Sequence, residues 1–144
     1  MAKRSTCNVI LMSIHPEFAQ SILNGEKKVE FRKTCFASQV SHIVIYATSP
    51  LKKIVGYFEV QGIKVAPPKE LWLCYSKVAG IEQEFFQEYY YNIDKGVAIE
   101  IGRVHNLNHF LALKYISDSL IAPQSYTYLS KNLFDLIRVN QIDS

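Results

Sequence analysis

Short apolar segments alternate with polar ones along the chain, and the spacing within each segment predicts its secondary structure. Residues 9–14 are almost continuously apolar and predict a buried strand. Residues 16–23 have apolar positions at helical spacing, begin with proline and precede Asn24-Gly25, a combination typical of a helix and its C-terminal cap. From Val29 to Arg32 apolar and charged residues alternate, which predicts a strand with one charged face.

The remaining elements follow from the same criteria. Runs of β-branched and aromatic residues predict strands at 42–47, 54–60, 63–65, 95–101 and 104–110. Apolar residues that recur at helical spacing predict helices at 68–73, 81–90 and 129–139. Residues 111–116 fit either a helical turn or an irregular segment. Loops are expected at 33–41 and 122–125, bends or bulges at Gly56, Gly62 and Gly102, and fraying from Gln141 to Ser144.

This succession of short strands interrupted by short helices predicts an α+β fold, a small mixed β-barrel decorated by short α-helices. The helix at 16–23 would plug or flank one mouth of the barrel. The chain has 144 residues and no internal repeat or linker. We therefore expect a single domain over 1–144, with its core at about 9–129 and a C-terminal helix at about 129–139.

Composition excludes several classes of protein. Hydrophobic residues make up 49% of the chain, too many for a disordered protein, and no apolar run approaches the roughly 18 residues of a membrane span. No signal-peptide pattern is present, so we expect a cytoplasmic protein without a membrane partner. Cys7, Cys35 and Cys74 are far apart and odd in number, which predicts neither a disulfide framework nor a zinc site. Cys74 is expected to be buried, and Tyr90 and Tyr91 to be exposed.

The four histidines show no metal-ligand spacing. His105 and His109 are four residues apart, but in a predicted strand rather than a helix, so a shared metal ion is not expected. The chain also has no nucleophile elbow, P-loop or Rossmann glycine pattern. We therefore expect neither a metal nor an organic cofactor.

Basic residues cluster around the charged strand. The formal net charge of +3 permits a nucleic-acid partner without requiring one, but Lys27, Lys28, Arg32 and Lys33 fall within seven positions. Lys28, Glu30 and Arg32 should share one strand face. That face is either ordinary surface or the lining of a groove closed by the preceding helix, where it would bind a polyanion or a nucleobase.

Several stretches together resemble the signature of the ASCH family, which has the PUA-like barrel fold. They occur in the family's order and span most of the chain: Ser13-Ile14-His15-Pro16, Gly25 to Arg32, Ile45 to Pro50, Ile54-Val55-Gly56 and Pro123 to Tyr126. The resemblance implies a PUA-like barrel with a cleft beside the first helix that faces RNA or a modified nucleobase. Relatives include RNA-binding domains, amidohydrolases that act on N4-acetylcytidine, proposed ribonucleases and transcription regulators, so the family indicates the fold better than the reaction.

The amidohydrolase pattern of the family fits this chain only in part. In that subgroup a lysine follows the glycine by two positions and a threonine nucleophile lies three further on. Lys27 matches the lysine, but Glu30 stands at the threonine position, where a carboxylate would act as a general base on water. The subgroup's further carboxylate has no clear match at Glu70 or Glu82. His15 replaces a lysine common in relatives and makes the charge there depend on pH.

The resemblance implies one set of ligand-binding candidates: Ser13, His15, Lys27, Glu30, Arg32, Tyr46, Ser49, Gln124 and Ser125. Lys27 would contact a phosphate or a base carbonyl, and Glu30 would accept from a base amino group such as cytosine N4. Arg32 would hold Glu30 or meet a phosphate, although the two also fit a purely structural ion pair. Tyr46 fits either stacking on a base or packing in the core.

The predicted function is binding of RNA or a modified nucleoside in the cleft beside the first helix. The alternative is a small hydrolase, either an amidohydrolase on N4-acylated cytidine or a ribonuclease, with Lys27 and Glu30 as catalytic residues. A second alternative is a protein-interaction or regulatory module whose basic face, including Lys52 and Lys53, contacts an acidic partner.

Overall fold

The computed structural model describes residues 8–142, and within this range six strands form one mixed sheet. The strands are β1 (Asn8–Ile14), β2 (Val29–Arg32), β3 (Val40–Ala47), β4 (Lys53–Ala66), β5 (Gly96–Leu111) and β6 (Tyr126–Leu129). Their order across the sheet is β2-β5-β4-β3-β1-β6. β1 and β3 run parallel, and the other neighbouring pairs are antiparallel.

Short helices connect the strands. They are α1 (Pro16–Leu23), α2 (Pro68–Tyr75), a 3₁₀ turn (Ser76–Val78), α3 (Gln83–Tyr89), α4 (Leu113–Ile116) and α5 (Lys131–Arg138). The bounds of α1 are those predicted, because Pro16 suits its first turn and Gly25, at φ +86°, follows its end. Within residues 8–142 no helix has the length and apolar character needed to cross a membrane.

Apolar packing covers both faces of the sheet, since side chains alternate along each strand. On β1, Ile10 and Met12 point into a first core, which α1 covers with Ala19 and Ile22. Leu11 points the other way, into a second core completed by α5. The sheet therefore separates two distinct sides of the molecule.

The charged strand, β2, lies at one edge of the sheet. Val29 and Phe31 point into a third core beneath α2 and α3. Glu30 and Arg32 alternate with them, and Glu30 lies opposite Ile99 of β5, a residue of the first core. Because directly opposite residues share a face, Glu30 and Arg32 point inward, towards the side of the sheet that α1 covers.

The predicted α+β class is confirmed, and the sheet is barrel-like without being closed. β2 and β6 are its two edges, and no backbone ladder joins them in the part of the chain that the structure describes. Instead, the Arg32 side chain reaches from β2 to β1, where Nη2 donates to the Ser13 carbonyl at 2.9 Å. A side chain thus spans the gap that backbone hydrogen bonds close in a complete barrel.

Several element boundaries differ from the prediction. Residues 53–66 and 96–111 each form one long strand, and the irregularities expected near Gly62 and Gly102 are register shifts within them. The strand β6 was not predicted, because four residues alternate too briefly to be told from a loop. α5 begins two residues later than expected, since the Ser130 hydroxyl accepts from the Leu133 N–H and caps the helix.

Some predictions about the exposure or order of single residues differ from the structure because of packing. Cys74 is exposed, because α2 is apolar on several sides and buries only Leu71 fully. Tyr91 is exposed as expected, but Tyr90 is only 4% exposed, since Gly96 leaves room for its ring. Gln141 forms a bridge with Leu107 rather than fraying, and the last two residues of that predicted segment lie outside the described range.

Candidate functional site

Lys27 is a buried cation beside the start of β2. The residue is 2% exposed, and its Nζ donates to the Ala79 carbonyl at 2.6 Å. Nζ also lies 5.2 Å from the centre of the Phe18 ring and 5.5 Å from that of Phe31, within the range of a cation–π contact. One carbonyl and two aromatic rings therefore replace the water that a surface lysine would have.

The protonation of Lys27 reflects this environment. Burial lowers the pKa of Lys27 below its ordinary value, because desolvation disfavours the ammonium. The Glu30 carboxylate acts in the opposite direction and the Arg32 guanidinium adds to the lowering. Lys27 is therefore a cation whose charge depends on its neighbours in the site.

A tight loop after the 3₁₀ turn positions Lys27. Gly80 has φ +68°, and a Cβ there would lie 2.7 Å from Lys27 Cβ and Cγ. The Lys28 N–H donates to the Val78 carbonyl at 2.9 Å, which ties the same loop to the start of β2. Residues 78–80 thus wrap the Lys27 stem, and a glycine is required both by the backbone angle and by the close approach.

Glu30 and Arg32 form a largely buried ion pair, with Arg32 Nη2 3.0 Å from a Glu30 carboxylate oxygen. Nη2 also donates to the Ser13 carbonyl, and Nη1 donates to the Ser125 hydroxyl at 3.4 Å. The Arg32 Nε–H is buried and has no hydrogen-bond partner among residues 8–142. A buried donor without an acceptor costs about 1–3 kcal/mol, so this N–H is the uncompensated polar group of the ion pair among the described residues.

Three adjoining cavities beside these residues form one cleft. The central cavity, of about 180 Å³, is lined by His15, Phe18, Lys27, Glu30, Phe31, Arg32, Ile81, Phe85 and Tyr89. An outer cavity of about 490 Å³ shares His15, Phe18, Ile81 and Phe85 with it. A lower cavity of about 160 Å³ shares Arg32 and Tyr89 with it and extends to Ser125 and Tyr126. The charged pair therefore lies inside a continuous concave surface.

Aromatic rings form the walls of this cleft. Phe85, from α3, packs edge-on against Phe18 of α1, with ring centres 5.4 Å apart. Tyr89 lies where the central and lower cavities meet, with Lys33 Nζ 4.8 Å from its ring centre. Burial raises the pKa of Tyr89, so its hydroxyl stays protonated at neutral pH. Sequence reasoning did not assign Phe85 or Tyr89 to the site, because a helical apolar stripe does not reveal which sheet edge it covers.

The structure brings six of the predicted site residues together: Ser13, His15, Lys27, Glu30, Arg32 and Ser125. Ser13 and Ser125 contact Arg32 as described, and the Ser13 hydroxyl donates to the Pro123 carbonyl at 2.7 Å. His15 lines the central cavity, and its Nδ1 accepts from the Glu17 N–H at the start of α1. The expectation that Lys28 shares the face of Glu30 and Arg32 is wrong: Lys28 precedes the strand and is exposed.

The three other candidates lie elsewhere. Tyr46 is 6% exposed in the second core, on the opposite face of the sheet, so its ring packs against protein rather than facing the cleft. Ser49 is exposed in the turn after β3, and Gln124 is exposed in the loop before β6. Neither Ser49 nor Gln124 lines any of the three cavities.

A half-open mixed sheet with a charged cleft beneath its first helix is the architecture that the sequence resemblance implied. Residues 12–105 match the ASCH domain, and the chain belongs to the ASCH family. The family resemblance found in the sequence is thereby confirmed.

Individual proteins are also similar to this chain in sequence or structure. The chain is 32% identical over 127 residues to an "ASCH domain-containing ribonuclease" of Zymomonas mobilis subsp. mobilis, covering 84% of each chain. The crystal structure of ASCH from Zymomonas mobilis matches with a TM-score of 0.84 at 27% identity, over 94% of this chain and 96% of that one. The chain is also 33% identical over 98 residues to the large ribosomal subunit protein uL22 of Ureaplasma parvum serovar 3. That match covers 67% of this chain and 32% of uL22. The chain is thus a homologue of a protein named as a ribonuclease.

Proposed function

We propose that this chain binds single-stranded RNA and holds one base in the central cavity of the cleft. The observation that carries the proposal is the buried, unpartnered Arg32 Nε–H beside the Glu30 carboxylate. A donor next to an acceptor, inside an aromatic-walled cavity, complements the edge of an unstacked base. A purely structural ion pair would leave no donor unpaired.

The size of the central cavity supports a single base as the ligand. About 180 Å³ is smaller than the roughly 300–1,000 Å³ of pockets for drug-sized molecules. Glu30 would accept from an exocyclic amino group and Arg32 Nε would donate to a neighbouring ring acceptor. Cytosine has this arrangement, with its N4 amino group beside acceptors on the ring.

The lower cavity supports a continuing strand rather than a free base. It runs from Arg32 past Lys33 and Tyr89 to the start of β6. An exposed lysine above a tyrosine ring suits a phosphate and a stacked neighbouring base. Unpaired RNA is recognised mainly by splayed bases stacked on aromatic rings, and the similarity to a protein named as a ribonuclease also favours RNA.

Arg32→Lys tests the proposal, because it keeps a positive charge for Glu30 but removes the Nε donor and the planar fork. A hydrogen bond to a charged group contributes about 1.5–3 kcal/mol, so affinity for a cytidine-rich RNA oligonucleotide should fall roughly tenfold or more, measured by fluorescence anisotropy. The matched control is Lys114→Arg, a charge-conserving change at an exposed residue of α4, which should leave affinity unchanged. Equal affinity of Arg32→Lys and wild type would contradict the proposal.

RNA cleavage is a second candidate function, favoured by the name of the Zymomonas relative. In the cleft, however, Lys27 is engaged by the Ala79 carbonyl and Glu30 by Arg32. This arrangement suits holding a base better than moving protons. If Glu30 were nonetheless the general base of the sequence-based alternative, Glu30→Gln would abolish any cleavage of single-stranded RNA. Unchanged cleavage by that variant would exclude Glu30 from the chemistry.

A further inference from the structure

A second polar cluster lies on the other side of the sheet, beside the second core. His105 on β5 has its Nε2 2.9 Å from a Glu59 carboxylate oxygen on β4. The Tyr57 ring stacks on the His105 ring, with centres 4.5 Å apart and planes 13° from parallel. A carboxylate and a tyrosine ring therefore fix both the position and the plane of this imidazole.

This contact also determines the role of each ring nitrogen. An ionised Glu59 carboxylate can only accept, so the hydrogen between the two groups is on His105 Nε2. In the neutral ring Nδ1 then keeps its lone pair and can accept a proton. An imidazole oriented by a carboxylate through one nitrogen and free at the other is the arrangement that general bases share.

The imidazole faces a cavity suited to a phosphate. His105 and Arg103 both line a cavity of about 560 Å³, together with Asn106 and Gln141. Arg103 is two residues before His105 on the same strand, beside a register shift that follows Ile101, and both residues line this cavity. Arg103 is exposed, and its planar guanidinium would meet a phosphodiester with two N–H donors.

We propose that this second cluster cleaves RNA, with His105 as the general base and Glu59 as its positioning residue. The proposal rests on RNA being the substrate class, as proposed above, but not on the cleft of Lys27, Glu30 and Arg32. Arg103 would bind the phosphate that is attacked. The first cleft would hold the strand, and the second cluster would cut it.

The step needs no further reactant. His105 Nδ1 takes the proton from a ribose 2′-hydroxyl, and the 2′-oxygen forms a bond to the adjacent phosphorus. The bond between phosphorus and the 5′-oxygen breaks, and the leaving oxygen receives a proton through solvent as the imidazolium gives up its own. The products are a 2′,3′-cyclic phosphate and a free 5′-hydroxyl, with no net gain or loss of protons.

Several charged or titratable groups surround the cluster among the described residues: Glu59 and Tyr57 on β4, Arg103 on β5, His42 on β3 and Arg138 on α5. His42 lies opposite Glu59 in the ladder, and burial lowers its pKa, so it stays neutral at neutral pH.

The experiment compares cleavage of a short single-stranded RNA by the wild type, His105→Asn, Glu59→Gln and the control His109→Asn, which changes an exposed histidine of the same strand. General base catalysis contributes about 10²–10⁴-fold, so His105→Asn should lower kcat/KM at least about 100-fold. Glu59→Gln should lower kcat with KM unchanged. His109→Asn should behave as wild type.

The outcomes separate this proposal from the first one. Products ending in 2′,3′-cyclic phosphate and no cleavage of a 2′-deoxy substrate would support it. No cleavage by the wild type, products bearing a 5′-phosphate, or full activity of His105→Asn would overturn it. In each of these cases RNA affinity and its loss in Arg32→Lys, measured separately, would still decide whether the cleft binds RNA.

Discussion

At the scale of single residues, the candidate site depends on charges that are removed from water. Glu30 is 6% exposed and Arg32 holds it by an ion pair, while Lys27 is 2% exposed and contacts a carbonyl and two rings. Burying ions costs several kcal/mol unless partners replace the lost water. The partners here are nearly complete, and the exception is the Arg32 Nε–H. Under the proposed function, a base in the cleft would supply this missing acceptor.

The lowered pKa of Lys27 gives a prediction about stability and pH. Its folded-state value lies below 10.5, so the unfolded chain binds more protons between the two values and stability rises with pH in that window. Lys27→Met removes the titrating group. The free energy of unfolding, from urea titrations at increasing pH below 10.5, should therefore rise in the wild type relative to Lys27→Met.

The free energies of the wild type and Lys27→Met must be compared at each pH, because buried tyrosines change stability with pH in the opposite direction. Burial raises the pKa of Tyr89 above 10.0, which reduces stability once the unfolded tyrosine ionises. Parallel pH profiles for wild type and Lys27→Met would show that Lys27 is not desolvated as described.

At the scale of elements, the loop at residues 78–80 decides where Lys27 lies. Gly80 combines a positive φ of +68° with a close approach to the Lys27 stem. Gly25 has a comparable φ of +86°, but nothing lies within 4 Å of the position of its Cβ. Comparing an alanine substitution at each of the two glycines therefore distinguishes the cost of the backbone angle from the cost of the steric contact.

We predict that Gly80→Ala destabilises the protein more than Gly25→Ala does. A left-handed backbone costs a non-glycine residue about 1–2 kcal/mol, and only Gly80→Ala adds the clash with Lys27. Gly80→Ala should also weaken RNA binding, because it displaces Lys27 from the central cavity. Thermal unfolding and anisotropy of both variants would check this, and equal effects of the two changes would contradict the role given to the loop.

The sequence predicts elements well where a local signal marks their ends. Pro16 and Asn24-Gly25 mark α1, and its bounds are confirmed. β6 has no such signal, since its pairing with β1 supplies the structure of a four-residue segment. Glu30 and Arg32 were predictable as one strand face because alternation is local. Phe85 and Tyr89 were not predictable as cleft walls, because their place depends on how α3 packs against distant elements.

At the scale of the whole molecule, the described residues show no backbone ladder between the edge strands β2 and β6, and the Arg32 side chain bridges from β2 to β1. This residue joins β2 to β1 through the Ser13 carbonyl and approaches the start of β6 through Ser125. The same side chain thus links the β2 edge to β1 and lines the cleft. Tyr46, by contrast, belongs to the opposite side of the sheet, which the sequence alone could not distinguish from the cleft side.

We predict that Arg32→Lys also lowers the free energy of unfolding, by about 1–3 kcal/mol, because the Ser13 carbonyl loses its donor. Domains of this kind have about 5–15 kcal/mol of stability, so the variant remains folded for binding measurements. Urea denaturation with hydrogen exchange at β1 should place the loss near Ser13. A variant as stable as the wild type would mean that Arg32 does not join β2 to β1.

The Arg32 Nε–H can be observed directly by nitrogen-15 NMR. Its resonance is assigned as the arginine side-chain signal that disappears in Arg32→Lys. On titration with a cytidine-rich RNA oligonucleotide, the Arg32 Nε–H signal should shift and exchange more slowly with water as the ligand supplies its missing acceptor. An unchanged Arg32 signal, while the oligonucleotide binds and other arginine signals shift, would contradict the claim that the cleft is the RNA-binding site.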